Sequence, residues 1–209
     1  MRLMVSMIIA TLLAAGPAWK EYLQPQFGFV VEFPADPSAS TGNYRTGLVP
    51  GAVAHIWSVR EEHAVYVATA VDLLDRKEEG ATLLGEAEST LSQLGDVTSI
   101  STSRVEPGRA AIYGRFITIN CRKERVTDQL GQTAASVRTW FKNITGEECP
   151  DRGRLMANLF FNRGRLYMIQ GINLPSTDDT PSSPAALRFA NSVSFFAADG
   201  SRNFADTFK

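Results

Sequence analysis

Histidine is nearly missing from this chain, with 2 residues in 209. Chemistry that depends on imidazole bases or imidazole metal ligands therefore has little material. Cysteine is as scarce, again 2 residues, which leaves no arithmetic for a zinc ribbon or a CxxC redox motif. Charge of one sign is not in excess either. Lys+Arg is 21 and Asp+Glu is 22, for a formal net charge of -1. A dedicated nucleic-acid-binding domain carries a basic balance, so no nucleic-acid partner is expected. Glycine spacing never produces G-x-x-x-x-G-K-[ST], G-x-G-x-x-G or G-x-S-x-G. Phosphate-cradling loops and the nucleophile elbow of hydrolases are thus unsupported. No cofactor and no metal are expected.

What is there reads as a folding chain. Hydrophobic residues make up 44% and charged residues 21%, the composition of a globular protein. The first eighteen residues read as a secretory signal peptide. Arg2 supplies the positive start, an apolar run of about 13 residues follows, and Gly16-Pro17-Ala18 offers small residues for a cut before Trp19. Lys20-Glu21 ends the run short of the ~20 apolar residues that a membrane-crossing helix needs. Residues 19–197 then form one domain, and 198–209 a flexible tail. The expected location is periplasmic or secreted. In an oxidising compartment an even pair of cysteines bridges, so Cys121 and Cys149 are expected to form a disulfide, contributing roughly 3–4 kcal/mol through the unfolded chain.

Along the mature chain, residues 19–23 and 28–33 read as short strands, the second ended by Pro34. Residues 52–60 and 63–72 read as a hairpin, with Val59 opposite Ala64, Trp57 opposite Tyr66 and Ile56 opposite Val67. Residues 75–94 read as a helix. Asp75 caps it, Glu78 returns as the acid of a capping box, and Leu84, Ala87, Leu91 and Leu94 recur on one face. Gly80 and Gly85 weaken it by about 1 kcal/mol each. Strands are expected at 97–106 and 109–121 around Pro107-Gly108, and a second hairpin at 155–161 and 165–172 around Asn162-Arg163-Gly164. Bulky residues on both faces of that hairpin place it centrally. A last helix runs over 184–193 with Ser183 as cap and Pro184 first, and Phe195-Phe196 tuck back onto the sheet. Residues 122–153 are the least legible. Within them, 136–142 fits a strand or the end of a helix begun near Lys123.

This order of elements resembles small exported bacterial proteins with a PsbP/Mog1-like fold. The likeness is carried by Gly28-Phe29-Val30-Val31-Glu32-Phe33-Pro34, Pro107-Gly108-Arg109-Ala110, Arg165-Leu166-Tyr167-Met168-Ile169 and Arg188-Phe189-Ala190-Asn191-Ser192-Val193. The resemblance implies an α+β fold, a mainly antiparallel sheet with two principal helices packed on it. It also implies binding or assembly roles with no catalytic residues to carry over. Val193 departs from the usual Phe, and 122–153 has the look of an insertion.

His55, Glu61, Glu62 and His63 are the one local set with metal-ligand chemistry. The hairpin register separates the two imidazoles by roughly 16 Å, on opposite faces. Charge distribution is more informative. Residues 61–106 hold ten acidic and three basic side chains, and residues 122–165 hold nine basic and five acidic. The basic stretch carries Trp140-Phe141 between Arg138 and Lys142. The expected function is a non-catalytic exported binding or assembly protein. Its working surface would be the disulfide-closed insertion together with the hairpin tip at 162–165. Arg138, Trp140, Lys142, Arg152 and Arg154 are the candidate partner-binding residues, and the partner an unknown protein or an anionic surface. The alternatives are a hydrolase-like enzyme with a site built from loops, and a carrier with an apolar cavity between helix and sheet.

Overall fold

The computed structural model of the chain describes residues 18–106, 111–122, 131–175 and 184–197. Residues 1–17 of the expected signal peptide, the Pro107-Gly108 turn, the Ser183 cap and the tail 198–209 lie outside these residues.

The described residues form an α+β structure. Its strands are β1 (Lys20–Gln24), β2 (Phe29–Phe33), β3 (Ser38–Tyr44), β4 (Ala52–Arg60), β5 (Ala64–Asp72), β6 (Gly95–Val105), β7 (Ile112–Cys121), β8 (Arg154–Asn162), β9 (Arg165–Asn173) and β10 (Ser194–Phe195). The helices are α1 (Gly80–Leu91), α2 (Gly131–Thr145) and α3 (Pro184–Asn191). Seven strands make one antiparallel sheet in the order β3-β4-β5-β9-β8-β7-β6, and β1-β2-β10 make a second, three-stranded sheet. Three α-helices stand among the described residues where two principal ones were expected.

The large sheet is the middle of three layers. Leu166, Met168 and Ile172 of β9 point to α1 and α2, meeting Leu83, Leu91, Phe141 and Ile144. Tyr167 and Ile169 point the other way, to Phe29, Phe33 and Phe195 of the small sheet and Phe189 of α3. Alternation along a strand sends neighbours to opposite faces. A strand with bulky apolar residues on both faces therefore needs cover on both sides. β5, β8 and β9 are buried on both faces, which agrees with the central place expected for the late hairpin.

Close backbone approach holds α3 down. A Cβ on Gly171 would stand 2.2 Å from the Ala186 carbonyl oxygen, so only glycine permits this contact. Buried Asn158 donates from Nδ2 to the Ala190 carbonyl at 2.8 Å, an orphan acceptor at the end of α3, and to Asn191 Oδ1 at 2.9 Å. The segments 28–34 and 188–193, far apart in sequence, meet here. Arg188 pairs with Glu32 at 2.8 Å, Ser192 Oγ accepts from the Glu32 amide, and the Phe33 and Phe189 rings lie 4.9 Å apart.

Two local expectations are corrected. In the first hairpin, Val59 faces Tyr66, Trp57 faces Ala68 and Ile56 faces Thr69. The Glu61 amide donates to the Ala64 carbonyl, so the tip is Glu62-His63. A slip of two residues keeps every side chain on its face, which is why periodicity does not detect it. In the helix at 75–94, Asp75 is not a cap. A 3₁₀ stretch, Leu74–Glu79, precedes α1 and breaks at Arg76 (φ -121°, ψ 34°), with no side-chain cap bond. The α-helix begins instead at Gly80, whose missing Cβ makes room for the Phe161 ring.

Candidate functional site

The stretch that resisted reading from sequence contains α2. Val137, Trp140, Phe141 and Ile144 all join the core shared with α1, at the 3-and-4 spacing of one helical face. Trp140 is 6% exposed, and its ring stands edge-on to that of Tyr44, 5.8 Å between centroids. Trp140 is therefore a core residue and not part of a recognition patch. Flanking cations suggested exposure, but on a helix the residues two positions away, Arg138 and Lys142, lie on a different face from Trp140.

Beyond α2 the chain is tightly held. Gly146 takes φ +73° and its amide bonds the Lys142 carbonyl, the left-handed stop of a helix. Thr145 Oγ1 donates to the Phe141 carbonyl and accepts from the Glu147 amide. Cys149 is bridged to Cys121 with 5.7 Å between the Cα atoms, as expected. The Cys121 amide donates to the Gly153 carbonyl, and the Arg152 amide to the Cys121 carbonyl. The loop 146–153 is thus fastened to the end of β7 by the disulfide and by two backbone bonds at Cys121.

Between this loop and α2 lies a groove of about 570 Å³, inside the ~300–1,000 Å³ range of ligand sites. Its described lining is Leu94, Arg138, Thr139, Phe141, Lys142, Glu148, Cys149, Pro150 and Asp151. Apolar groups make the floor, and two cations and two carboxylates stand around it. Lys142 Nζ donates to Glu148 Oε1 at 2.9 Å, and that hydrogen bond holds the Lys142 ammonium above its usual range. Arg138 donates to the Arg122 carbonyl. The lining includes Arg138 and Lys142 of the five expected residues. Arg152 sits on the loop with φ +61° and is exposed. Arg154 begins β8 on the sheet face away from α2, since Leu155 points to α2. Glu148, Pro150 and Asp151 were missed, although their position beside Cys149 was a signal available in the sequence.

The hairpin tip does not join this surface. β8 runs from Arg154, next to the disulfide, to Asn162 at the tip, and eight steps of ~3.3 Å separate the two ends by roughly 26 Å. At the tip end, Asp72 binds Arg165 at 2.7 Å and His55 at 3.3 Å. His63 is exposed near Glu62, at the tip of the β4–β5 hairpin and so at the opposite end of those strands from His55 and Asp72. Among the described residues no group of three His, Cys, Asp or Glu is placed to hold a metal ion, and no helix is long and apolar enough to cross a membrane. Basic and acidic stretches partly pair with each other, through Arg165–Asp72 and Arg122–Asp96.

No protein-family model matches the chain, and no curated protein matches it in sequence.

Proposed function

We propose that this chain is an exported, non-catalytic binding or assembly protein of the PsbP/Mog1-like kind, periplasmic or secreted, whose partner docks at the groove beside the Cys121–Cys149 bridge. The groove is the observation that carries the reading. It joins an apolar floor to charges of both signs on a helix and a loop that are held by a disulfide and backbone bonds. Such a lining fits a protein segment carrying both charges. The pairing of segments 28–34 and 188–193 supports the family likeness, because the quoted motifs then have a joint structural task. Trp19 supports the cleavage position, since its ring packs on Tyr66 at 5.2 Å and lies under Arg188 at 4.7 Å, so Trp19 itself belongs to the fold.

The test is capture from the exported fraction of the native host by wild-type chain and by an Arg138→Glu/Lys142→Glu double variant. A partner bound at the groove is retained by the wild type and lost from the variant. The melting temperature stays nearly level, because surface changes shift stability by only about 0.5 kcal/mol. Identical partners on both proteins would sink the assignment of the groove. Mass spectrometry of the same exported protein is expected to show Trp19 as its first residue.

A further inference from the structure

At one end of the seven-stranded sheet lies β6, 11 residues long. β7 pairs along one side of it, and no other described strand takes the second side. Natural sheets blunt such edges with lysine, proline, bulges, inward charges or a covering element. Here Val97-Thr98-Ser99-Ile100-Ser101-Thr102-Ser103 carries neither charge nor proline. Residues 98–102 are all exposed, with Ile100 at 48%. The one irregularity is a register shift between Val97 and Ser99, and the run from Ser99 to Val105 continues past it.

We propose that β6 is a self-association edge. A second copy of this chain pairs with it antiparallel about a two-fold axis at Ile100, and two seven-stranded sheets become one. Charge selects this occupant. Asp96 stands at one end of the uncharged run and Arg104 at the other. Antiparallel self-pairing sets the acidic end of each copy beside the basic end of its mate, whereas parallel pairing would set like with like. Asp96 already contacts Arg122, and Arg104 contacts Glu106. Both are surface pairs, with 40% of the Asp96 and 57% of the Arg104 side chain still exposed, so both groups can be shared with the mate. Apolar surface agrees. Ile100 sits opposite Ile117 on β7, and Ile117 belongs to the core on the α1 side. The two-fold places the exposed Ile100 against Ile100 of the mate, extending that face across the junction, and sets Ser99 beside the mate's Ser101 on the opposite face. This inference does not depend on the groove.

Sedimentation velocity of the purified chain, from about 1 to 100 μM, tests it with three samples: wild type, Ile100→Lys and Ile100→Glu. Wild type is expected to pass from monomer to dimer across the range. Each variant sets two like charges at the axis and raises the dissociation constant about 10-fold or more. An equimolar mixture of the two variants regains the dimer, because lysine then meets glutamate. Ile100 is exposed, so both variants keep the wild-type fold, which far-UV circular dichroism checks. A wild type that stays monomeric throughout overturns the proposal. So does a dimer that both variants form as well as wild type, or a mixture that fails to regain it.

Discussion

Trp140 and Lys142 stand two residues apart on α2 and serve different ends. The indole is sealed against Tyr44 in the core, while the ammonium reaches the rim of the groove and Glu148. Trp140→Ala removes a large buried ring and is expected to cost about 3–5 kcal/mol. Lys142→Ala removes one member of an exposed ion pair and is expected to change stability by under ~1 kcal/mol. Thermal melts of the two variants separate these values cleanly. A Trp140→Ala protein that melts like wild type would mean that the indole is not in the core. The same contrast explains why a tryptophan between cations misleads: sequence adjacency is not spatial adjacency on a helix, where 137, 140, 141 and 144 share a face.

At the scale of elements, α1 contains two glycines with opposite reasons for being there. Gly80 opens the helix against Phe161, where an added Cβ would lie 2.5 Å from a ring carbon. Gly85 faces solvent, with nothing within 4 Å of an added Cβ. Gly85→Ala is expected to stabilise by about 0.5–1 kcal/mol, from reduced backbone entropy of the unfolded chain. Gly80→Ala has the same propensity gain but must displace a packed ring, and overpacking of this kind costs about 1–3 kcal/mol. Denaturant midpoints of the two variants should therefore move in opposite directions. Movement of both toward higher denaturant would show that Phe161 yields freely and that helix propensity alone governs α1.

For the molecule as a whole, the three layers seal tyrosines away from water, and that makes stability depend on alkaline pH. Burial raises Tyr44, with a further push from the Glu86 charge. Burial also raises Tyr66, helped by its hydrogen bond to Glu61. Burial pushes Tyr167 from 10.0 up to about 12, against the opposing influence of Arg165. A group raised in the folded state keeps its proton longer there than in the unfolded chain. Its stabilising share is complete below pH 10 and is lost as pH rises through the folded value. Unfolding free energy is thus expected to fall between pH 10 and about 12, and Tyr167→Phe should make that decline shallower. Equal slopes in both proteins would show that Tyr167 titrates alike in the folded and unfolded states.

The sequence by itself determined the features whose causes are local. Alternating apolar residues and turn chemistry marked β4, β5, β8 and β9. Bulk on both faces put the late hairpin in the middle of the sheet, and an even cysteine pair pointed to the bridge at Cys121–Cys149. Tertiary structure decided the features whose causes are contacts. The first hairpin slid by two residues because both registers bury the same faces. The start of α1 was decided by Phe161, a side chain 81 positions away from Gly80. Burial of Trp140 was decided by α2 lying over β3, and the separation of the hairpin tip from the disulfide by the length of β8. The groove belongs to this second group. Its lining comes from a helix, a loop and Leu94, which adjoin only after β7 and the bridge bring them together, so no single stretch of sequence carries its signature.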